Sequence, residues 1–519
     1  MELIKKRIHY VREGKKIFDQ FYVDEDYNVP EAKEDVRRIV DTGTELKIEE
    51  IRPVENYVRI TGKLYFRILY LNVSSDPKPG VLEGKLPFEE MVYAENQEGE
   101  EFYVQNVRIE FTPSLIHSRK LSLRAMVELE VGREKLVDEE TVTDAEGDVP
   151  LYKKMKKVQL LQLEVTKKDT YRIKEEITIP GTKESIGQIL FTDISERKLE
   201  LRPGQDELIV RGELSLFCMY LSGDEKPDWI SQTIPYEGRI PCEGISEEMY
   251  FSIRHTMEDT LTDLRMDEDG EMRILGIEGT LALHMNFYRE ESVELLEDLY
   301  SLQKQCLFDT TEVVCEELLM QNQSKCKVTE RLSLPELKTD VLQILHARGA
   351  IQVEHADRTG EGIRVEGILH LSFLYLRGDD AEPYGSWQGM IPFEHQIECK
   401  EMPEETVYNM EQHIEQLQIT LVGSESVEIK GILTFDTFLR RPVKVWTMEN
   451  VREEPLDLEQ LEKRPSIVGH IVQRGEDLWQ LAKQYMTTKE GIMEVNGMQN
   501  ENVKEGDKLL IFKENMSIL

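Results

Sequence analysis

The stretch GKLYFRILYL, residues 62–71, returns twice along the chain, as GELSLFCMYL at 212–221 and as GILHLSFLYL at 367–376. Each copy keeps the glycine, a leucine two residues later and a final Tyr-Leu pair. Apolar and polar residues alternate at first and then become almost continuously apolar. This pattern is typical of a β-strand that is half-buried at its start and buried on both faces at its end.

Two further markers keep nearly the same distance from these strands. A proline lies 32 residues before each glycine, at Pro30, Pro180 and Pro335, and a lysine follows it three residues later. A Pro-[Phe/Tyr]-Glu triplet follows the glycine after 25, 23 and 25 residues, at 87–89, 235–237 and 392–394. Because three markers keep their spacing in three places, the chain contains an internal repeat.

Apolar residues follow each of these prolines at positions i, i+3 and i+4. Proline is tolerated in the first turn of a helix, and such a triplet forms one apolar stripe on a helical surface. The pattern therefore predicts a short amphipathic helix in each copy. The three stripes are Val36/Ile39/Val40, Ile186/Ile189/Leu190 and Val341/Ile344/Leu345.

The rest of each copy consists of alternating segments separated by polar insertions rich in Gly, Pro and Asp. These residues supply turn geometry, so the flanking segments are predicted to pair antiparallel. The expected fold class is mainly β with short helices, in three repeated antiparallel β domains at 1–155, 156–310 and 311–448. The charged segment 449–466, with Pro455 and Pro465, is interpreted as a linker.

The last segment, 467–513, predicts a small α+β domain of βααβ order. HIVQ and KLLIF are its strands. Asp477 is suited to cap a first helix, and Thr487 with Glu490 reads as the capping box of a second. Four apolar positions of the first helix share one face and predict its core: Leu478, Leu481, Ala482 and Tyr485.

Charge sets limits on partners. The formal net charge is −37, which disfavours binding to nucleic acid or anionic lipid. Only −1 of this charge falls on 467–513, so repulsion is expected to hold that domain away from the rest. The first residues lack the apolar stretch of a signal peptide, and no apolar run is long enough to span a membrane. We therefore expect a cytoplasmic protein without membrane insertion.

Catalytic motifs are missing from the sequence. It contains no GxxxxGK[ST], HExxH or GxSxG pattern. Asp267–Glu271 departs from a calcium loop at its ligand positions and is interpreted as a hairpin turn. The six cysteines contain no CxxC pair, which argues against structural zinc and a disulfide framework. We expect no enzymatic activity, no catalytic residue, no metal and no cofactor.

The triple recurrence of the Pro-x-x-Lys, Gly-x-Leu…Tyr-Leu and Pro-[Phe/Tyr]-Glu markers resembles the SPOCS domain, a repeat of spore-coat-associated proteins. Similarly, GEDLWQLA at 475–482 and NGMQNENVKEGDKLLI at 496–511 resemble a LysM domain. That resemblance implies binding of N-acetylglucosamine chains near Glu476, Asp477, Asn496, Met498 and Asn500. The chain departs from the family pattern where Glu476-Asp477 replaces Asp-Thr/Ser and where Asp507 replaces glutamine.

Trp479 follows the first core position of the predicted helix and lies off the main apolar stripe. It is either a packing residue or an exposed aromatic anchor for a partner, since tryptophan often dominates binding energy at an interface. Met486, seven residues later, is expected to share its face. Both residues are included in the predicted binding site.

Three SPOCS-like domains followed by a LysM domain resemble the architecture of spore coat morphogenesis proteins. The resemblance implies a non-enzymatic protein in the mother-cell cytoplasm, at the forespore surface. There its LysM domain would bind the coat morphogenetic ATPase, and the chain would help to localise the coat to the forespore surface. Other coat proteins are further expected partners. The alternative is a peptidoglycan-binding protein of the cortex or cell wall. What the repeats themselves bind stays open.

Overall fold

In a computed structural model of the chain, the structure describes residues 1–96, 98–334, 337, 341–423, 425–457 and 465–513. Three repeats and a small C-terminal domain are present. Repeat 1 comprises β1 (Glu2–Glu13), β2 (Ile17–Asn28), β3 (Val36–Val54), β4 (Tyr57–Asn72), β5 (Pro79–Tyr93), β6 (Glu101–Phe111), β7 (Ser114–His117) and β8 (Lys120–Glu146).

The other two repeats have the same strand order with one unbroken first strand. Repeat 2 comprises β9 (Tyr152–Thr178), β10 (Ile186–Pro203), β11 (Glu207–Ser222), β12 (Pro227–Pro241), β13 (Tyr250–Met266) and β14 (Met272–Tyr300). Repeat 3 comprises β15 (Lys304–Ser333), β16 (Val341–Thr359), β17 (Gly362–Arg377), β18 (Tyr384–Glu398), β19 (Val407–Leu421) and β20 (Ser426–Pro455).

Each repeat is a sandwich of two antiparallel sheets. In repeat 2 the sheets are β10-β11-β12 and β13-β14-β9, and repeat 3 has the matching sheets β16-β17-β18 and β15-β20-β19. In repeat 1 they are β3-β4-β5 and a sheet in which β1, β2, β6 and β7 all pair with β8. Buried residues of both sheets form each core. The predicted fold class, three repeated antiparallel β domains and a small α+β domain, is confirmed.

The glycine and the Pro-[Phe/Tyr]-Glu triplet are neighbours in the sheet. Gly62 lies directly opposite Phe88, and the same register places Gly212 opposite Tyr236 and Gly367 opposite Phe393. A Cβ on any of the three glycines would overlap the facing aromatic ring. The ring fills the space above the glycine, which explains why the two markers recur together. The triplet's proline lies on an edge strand, where the lost backbone donor is tolerated.

The short helix predicted after each of the prolines Pro30, Pro180 and Pro335 is wrong. Those residues form strands β3, β10 and β16. The proline before β3 and the one before β10 instead begin a turn, in which the lysine amide donates to the proline carbonyl at 2.9 Å.

Paired β-bulges in each strand produce the spacing that resembles a helix. In β3 the pairing register shifts between Val36 and Arg38 and again between Ile39 and Asp41, and β10 and β16 shift at the matching positions. An extra residue at each bulge turns later side chains to the opposite face. Val36 and Ile39 therefore face the core of repeat 1, whereas Val40 faces away from it.

Val40, Leu190 and Leu345, one from each repeat, meet in a shared apolar cluster that we call the hub. Leu69, Met219 and Leu374, from the three copies of the glycine strand, lie in the same cluster. Beside it, Arg348 of repeat 3 bonds to both carboxylate oxygens of the buried Asp41 of repeat 1 at 2.7 Å. The hub and this ion pair join the three sandwiches.

The ends of the long strands leave the sandwiches as three two-stranded ribbons, which together we call the stalk. They pair β1 with the end of β8, the start of β9 with the end of β14, and the start of β15 with the end of β20. The ribbons pack on one another through a core that draws on all three repeats: Ile8, Val158, Leu160, Val293, Leu295, Val313, Cys315 and Val445.

Where the stalk meets the sandwiches, one buried arginine connects the three repeats. The Arg440 guanidinium donates to the Tyr288 hydroxyl at 3.1 Å and lies 3.3 Å from the carboxylates of Glu13 and Glu316. Burial raises the pKa of Glu316 to about 7. Glu13 belongs to repeat 1, Tyr288 to repeat 2 and Glu316 to repeat 3, so the single Arg440 cation contacts a group from each repeat.

The strand ends differ from the predicted boundaries. The positions 155/156 and 310/311 fall inside β9 and β15, and the predicted linker begins inside β20, whose residues up to Pro455 pair with β15. Residues 449–455 are therefore stalk and not linker, while 458–464 of the predicted linker lie outside the described residues.

The C-terminal domain has the predicted βααβ order, with β21 (Ile467–Ile471), α1 (Leu478–Tyr485), α2 (Lys489–Val495) and β22 (Lys508–Phe512). Asp477 caps α1 as predicted and forms a capping box with Gln480. The cap of α2 is Thr488, whose hydroxyl accepts from the Gly491 amide, and not Thr487. Neither helix, nor any other in the described ranges, has the length and apolarity to cross a membrane.

Candidate functional site

Trp479 lies at the junction between the C-terminal domain and the stalk. Its side chain is 5% exposed. The indole Nε1 donates to Asp298 Oδ2 at 2.7 Å, and the ring meets Tyr300 edge-on with centroids 4.9 Å apart. Asp298 and Tyr300 belong to β14, near the end of a ribbon. Of the two interpretations of Trp479, that of a packing residue describes the side chain in this structure. Asp298 and Tyr300, which it contacts, belong to the stalk and not to the C-terminal domain.

Three further polar contacts cross this junction. The Lys483 ammonium donates to Asp298 Oδ1 at 2.5 Å, and the Tyr300 hydroxyl donates to the Thr487 carbonyl at 2.9 Å. On the adjacent ribbon strand, Lys154 donates to Asp477 at 3.0 Å. Complementary charges thus pair locally although the chain is strongly acidic overall. The prediction that repulsion holds the domain away from the rest is wrong.

Glu476 closes the loop between β21 and α1. Its carboxylate accepts from the Gln473 amide at 2.8 Å and lies 2.7 Å from His470 Nε2. The backbone hydrogen bond, helped by His470, lowers the pKa of Glu476. This carboxylate is therefore occupied in holding the loop.

Asn496 connects α2 to the second strand. Its amide nitrogen donates to the carbonyls of Ile492 and Leu510, and its oxygen accepts from the Leu510 amide, each at 2.8 Å. All the contacts are within the domain, so the side chain is suited to fixing the final strand. Nearby, Met498 packs against the domain core, whereas Asn500 is exposed and its side-chain oxygen accepts from the Asn502 amide.

Met486 ends α1 in the left-handed conformation, with φ at 53°. Its backbone amide satisfies the last carbonyls of the helix. Of the seven predicted site residues, Glu476 and Asp477 share the loop before α1, whereas Asn496, Met498 and Asn500 lie in the segment that leads to β22. Trp479 and Asp477 reach the stalk.

The outer face of the two-stranded sheet formed by β21 and β22 is largely apolar and exposed. Opposite the buried Leu509 and Ile511, this face carries four large apolar side chains that are between 40% and 58% exposed: Ile467, Ile471, Leu510 and Phe512. We call these four residues the outer sheet face. Gly469 lies between the two isoleucines, and the exposed Lys508, the cross-strand partner of Ile471, borders the four apolar side chains.

The outer sheet face was not predicted from the sequence. The signal was the run Leu509-Leu510-Ile511-Phe512, which is apolar on both faces of a strand. Such a run predicts a strand covered on both sides. A two-stranded sheet packed on one pair of helices covers only one side. The other side was therefore identifiable as a candidate contact surface.

The described residues offer few side chains suited to metal binding or nucleophilic catalysis. Throughout the described ranges, no three His, Cys, Asp or Glu side chains are grouped as a metal site would need. The six cysteines are unpaired, and five of them are buried. Burial raises the pKa of the Cys315 thiol to about 12, which makes it a poor nucleophile.

Comparison with protein families gives a match in each of the three repeats and in the C-terminal domain. The model described as SipL, SPOCS domain, matches residues 35–112, 185–265 and 340–422, and the LysM domain model matches 470–512. The chain carries three SPOCS domains and one LysM domain. The SPOCS matches begin close to the bulged strands β3, β10 and β16 and end close to the ends of β6, β13 and β19, so the ribbon strands of the stalk lie outside the matched segments.

No curated protein and no solved structure gave a match. The SPOCS and LysM assignments therefore rest on the family models and on the agreement between their ranges and the observed repeats.

Proposed function

We propose that this chain is a non-enzymatic assembly protein of the spore coat. In this proposal the LysM domain binds a coat morphogenetic protein, the coat ATPase, and the three SPOCS domains form a rigid body that helps to localise other coat proteins at the forespore surface. The proposed compartment is the mother-cell cytoplasm. The SPOCS and LysM domains support a role in binding and scaffolding.

The outer sheet face is the observation that carries this proposal. Its four apolar side chains lie on one face of the β21–β22 sheet, bordered by Lys508, and remain exposed while the LysM domain is packed on the stalk. An apolar surface of this kind is typical of a contact with protein, because burying it releases ordered water. The stalk holds the LysM domain in one orientation, which reduces the entropy lost on binding.

The polar groups of the LysM loops favour protein over glycan as the partner. A sugar is recognised through hydrogen bonds to its hydroxyl groups, which require unoccupied polar atoms. Glu476 and Asn496 already bond within the domain, and Asp477 bonds to Gln480 and Lys154. The seven predicted site residues stay a prediction, with Asn500 the most open among them.

A pull-down with the full chain tests the proposal. Substituting Ile471→Glu together with Leu510→Glu places two charges on the outer sheet face without disturbing the buried side. We expect the double variant to lose capture of the coat ATPase, as should a chain lacking 467–519. Val495→Glu changes an equally exposed residue on α2 and should retain capture. Undiminished capture by the double variant would refute the proposed contact.

The second candidate function is peptidoglycan binding, which the LysM match itself favours. Co-sedimentation with purified peptidoglycan separates the two functions. Binding that resists salt and is displaced by N-acetylglucosamine oligomers would support the second function. Under the first, the chain stays in the supernatant while it still captures the coat ATPase.

A further inference from the structure

Exposed aromatic side chains are distributed unevenly over the three repeats. Among the described residues, repeat 2 exposes no large aromatic side chain and repeat 3 exposes Trp446 alone. Repeat 1 exposes five: Phe18, Tyr22, Tyr57, Tyr65 and Tyr93. Since the three repeats share one strand arrangement, the fold itself does not require these rings at the surface.

Two of the tyrosines form a compact apolar patch at one end of the β3-β4-β5 sheet. Tyr57 is the cross-strand partner of Val54 on one side and of Tyr93 on the other. The two tyrosine rings lie 5.5 Å apart at 79°. Met91 lies on the same face, two residues before Tyr93, and all four side chains are between 38% and 57% exposed. We call these four residues the tyrosine patch.

The corresponding positions of the other repeats do not share this character. The pairing register equates the tyrosine patch with Gly204, Glu207, Arg239 and Pro241 in repeat 2, and with Thr359, Gly362, Gln396 and Glu398 in repeat 3. None of these eight residues is a large apolar one. The sheet therefore does not require large apolar side chains at these positions, and repeat 1 alone of the three carries the patch.

Carboxylates surround the patch. Four glutamates lie on the same or adjoining strand ends, against two arginines, Arg52 and Arg59: Glu50, Glu55, Glu89 and Glu95. Arg59 pairs with Glu50 at 3.2 Å and lies 3.9 Å from Glu89, so the remaining excess is acidic. An apolar centre with a charged rim is the usual composition of a protein interface.

The chemistry of this surface selects a cationic partner. The faces of tyrosine rings attract arginine and lysine side chains, and nearby carboxylates strengthen that attraction. The net charge of −37 draws a basic segment towards the protein and repels a second copy of the chain. We propose that the tyrosine patch is a docking site for a partner protein segment that carries arginine or lysine beside apolar residues.

Fluorescence polarisation with a defined probe tests this proposal on the full chain. The probe is a labelled peptide of alternating arginine, leucine and glycine, and its counterpart has glutamate in place of arginine. The variant Tyr57→Ser/Tyr93→Ser should bind the arginine peptide about tenfold or more weakly. Leu261→Ser/Met266→Ser removes two apolar residues of repeat 2 that are more exposed than either tyrosine, and it should bind the arginine peptide like the original chain.

Equal weakening in the two variants, or binding of the glutamate peptide, would overturn the proposal. Sedimentation velocity gives an independent result. A concentration-dependent dimer that disappears in Tyr57→Ser/Tyr93→Ser would identify a second copy as the occupant and would also overturn it. Because repeats 2 and 3 carry no large apolar residue at these positions, the double variant should keep the melting temperature of the original chain.

Discussion

The Trp479 indole and the Asp298 carboxylate, 181 residues apart in sequence, form a 2.7 Å hydrogen bond that fixes the LysM domain on the stalk. Asp298 also accepts from Lys483, so one carboxylate serves two donors of the same helix. A group at the end of repeat 2 thereby sets the orientation of a domain that follows repeat 3.

Asp298→Ala should release the LysM domain. The substitution leaves the partly buried indole N–H and the Lys483 ammonium without their acceptor, a loss on the order of 1–3 kcal/mol from docking. We expect a red shift of tryptophan emission and a larger radius of gyration by small-angle X-ray scattering. Glu312→Ala, which removes a stalk carboxylate paired with Lys444, should change neither. A variant at Asp298 with unchanged emission and scattering would show that other contacts suffice.

Arg440→Met should destabilise the entire body. The arginine is 1% exposed, and its loss leaves Glu13 and Glu316 close together without a cation. Breaking a buried ion pair from one side typically costs about 3–5 kcal/mol. Denaturant unfolding measures the loss. Adding Glu316→Gln to Arg440→Met should recover part of it, and a double variant no more stable than Arg440→Met would contradict this account of the network.

Stability should also depend on the protonation of Glu316. Burial raises its pKa from the ordinary value of 4.5 to about 7, so the folded state binds its proton more tightly than the unfolded state does. The resulting stabilisation is fully present below pH 4.5 and is lost as the pH rises through 7. Glu316→Gln should reduce the slope of melting temperature against pH between pH 5 and pH 8, measured by calorimetry. Part of the slope should remain, because burial also raises the pKa of Glu411 to about 7. Glu312→Gln, an exposed change on the same strand, should keep the slope.

The sequence predicted the repeat and the small domain well because their signals are local. Asp477 precedes an apolar helical face, and each glycine strand alternates before it becomes buried. The helix prediction failed at Val36, Ile39 and Val40 because two bulges impose a spacing of three and four on a strand. The sequence pattern alone does not distinguish this bulged strand from a helix, since the bulges depend on the hub that forms between repeats.

Docking of the LysM domain could not be predicted from the sequence. Asp298 and Tyr300 lie in a strand with six carboxylates and two tyrosines, and nothing nearby in sequence points to Trp479. The overall charge gave the wrong expectation, because Lys154 and Lys483 form local pairs that a net charge does not show. Contacts between distant segments depend on the assembled stalk.

The facing glycine and aromatic residues give a last prediction. The three atoms nearest to a Cβ at Gly212 all belong to the Tyr236 side chain, whereas a Cβ at Gly62 would overlap both the Phe88 ring and the Lys47 carbonyl oxygen. Gly212→Ala and Gly62→Ala should each destabilise by about 1–3 kcal/mol through overpacking. Replacing the aromatic by leucine should rescue only the first, because a side-chain change cannot move a backbone oxygen.

Thermal unfolding of the two alanine variants, the two leucine variants and the two corresponding double variants checks this difference. Tyr236→Leu alone loses the 2.7 Å hydrogen bond from the tyrosine hydroxyl to Glu196, so the double variant must be compared with that single variant and not with the original chain. Gly212→Ala should then cost little in the Tyr236→Leu background, whereas Gly62→Ala should cost nearly its full amount in the Phe88→Leu background. Equal rescue in both repeats would mean that the strand near Lys47 yields readily. In that case the aromatic ring alone would explain the glycine at all three positions.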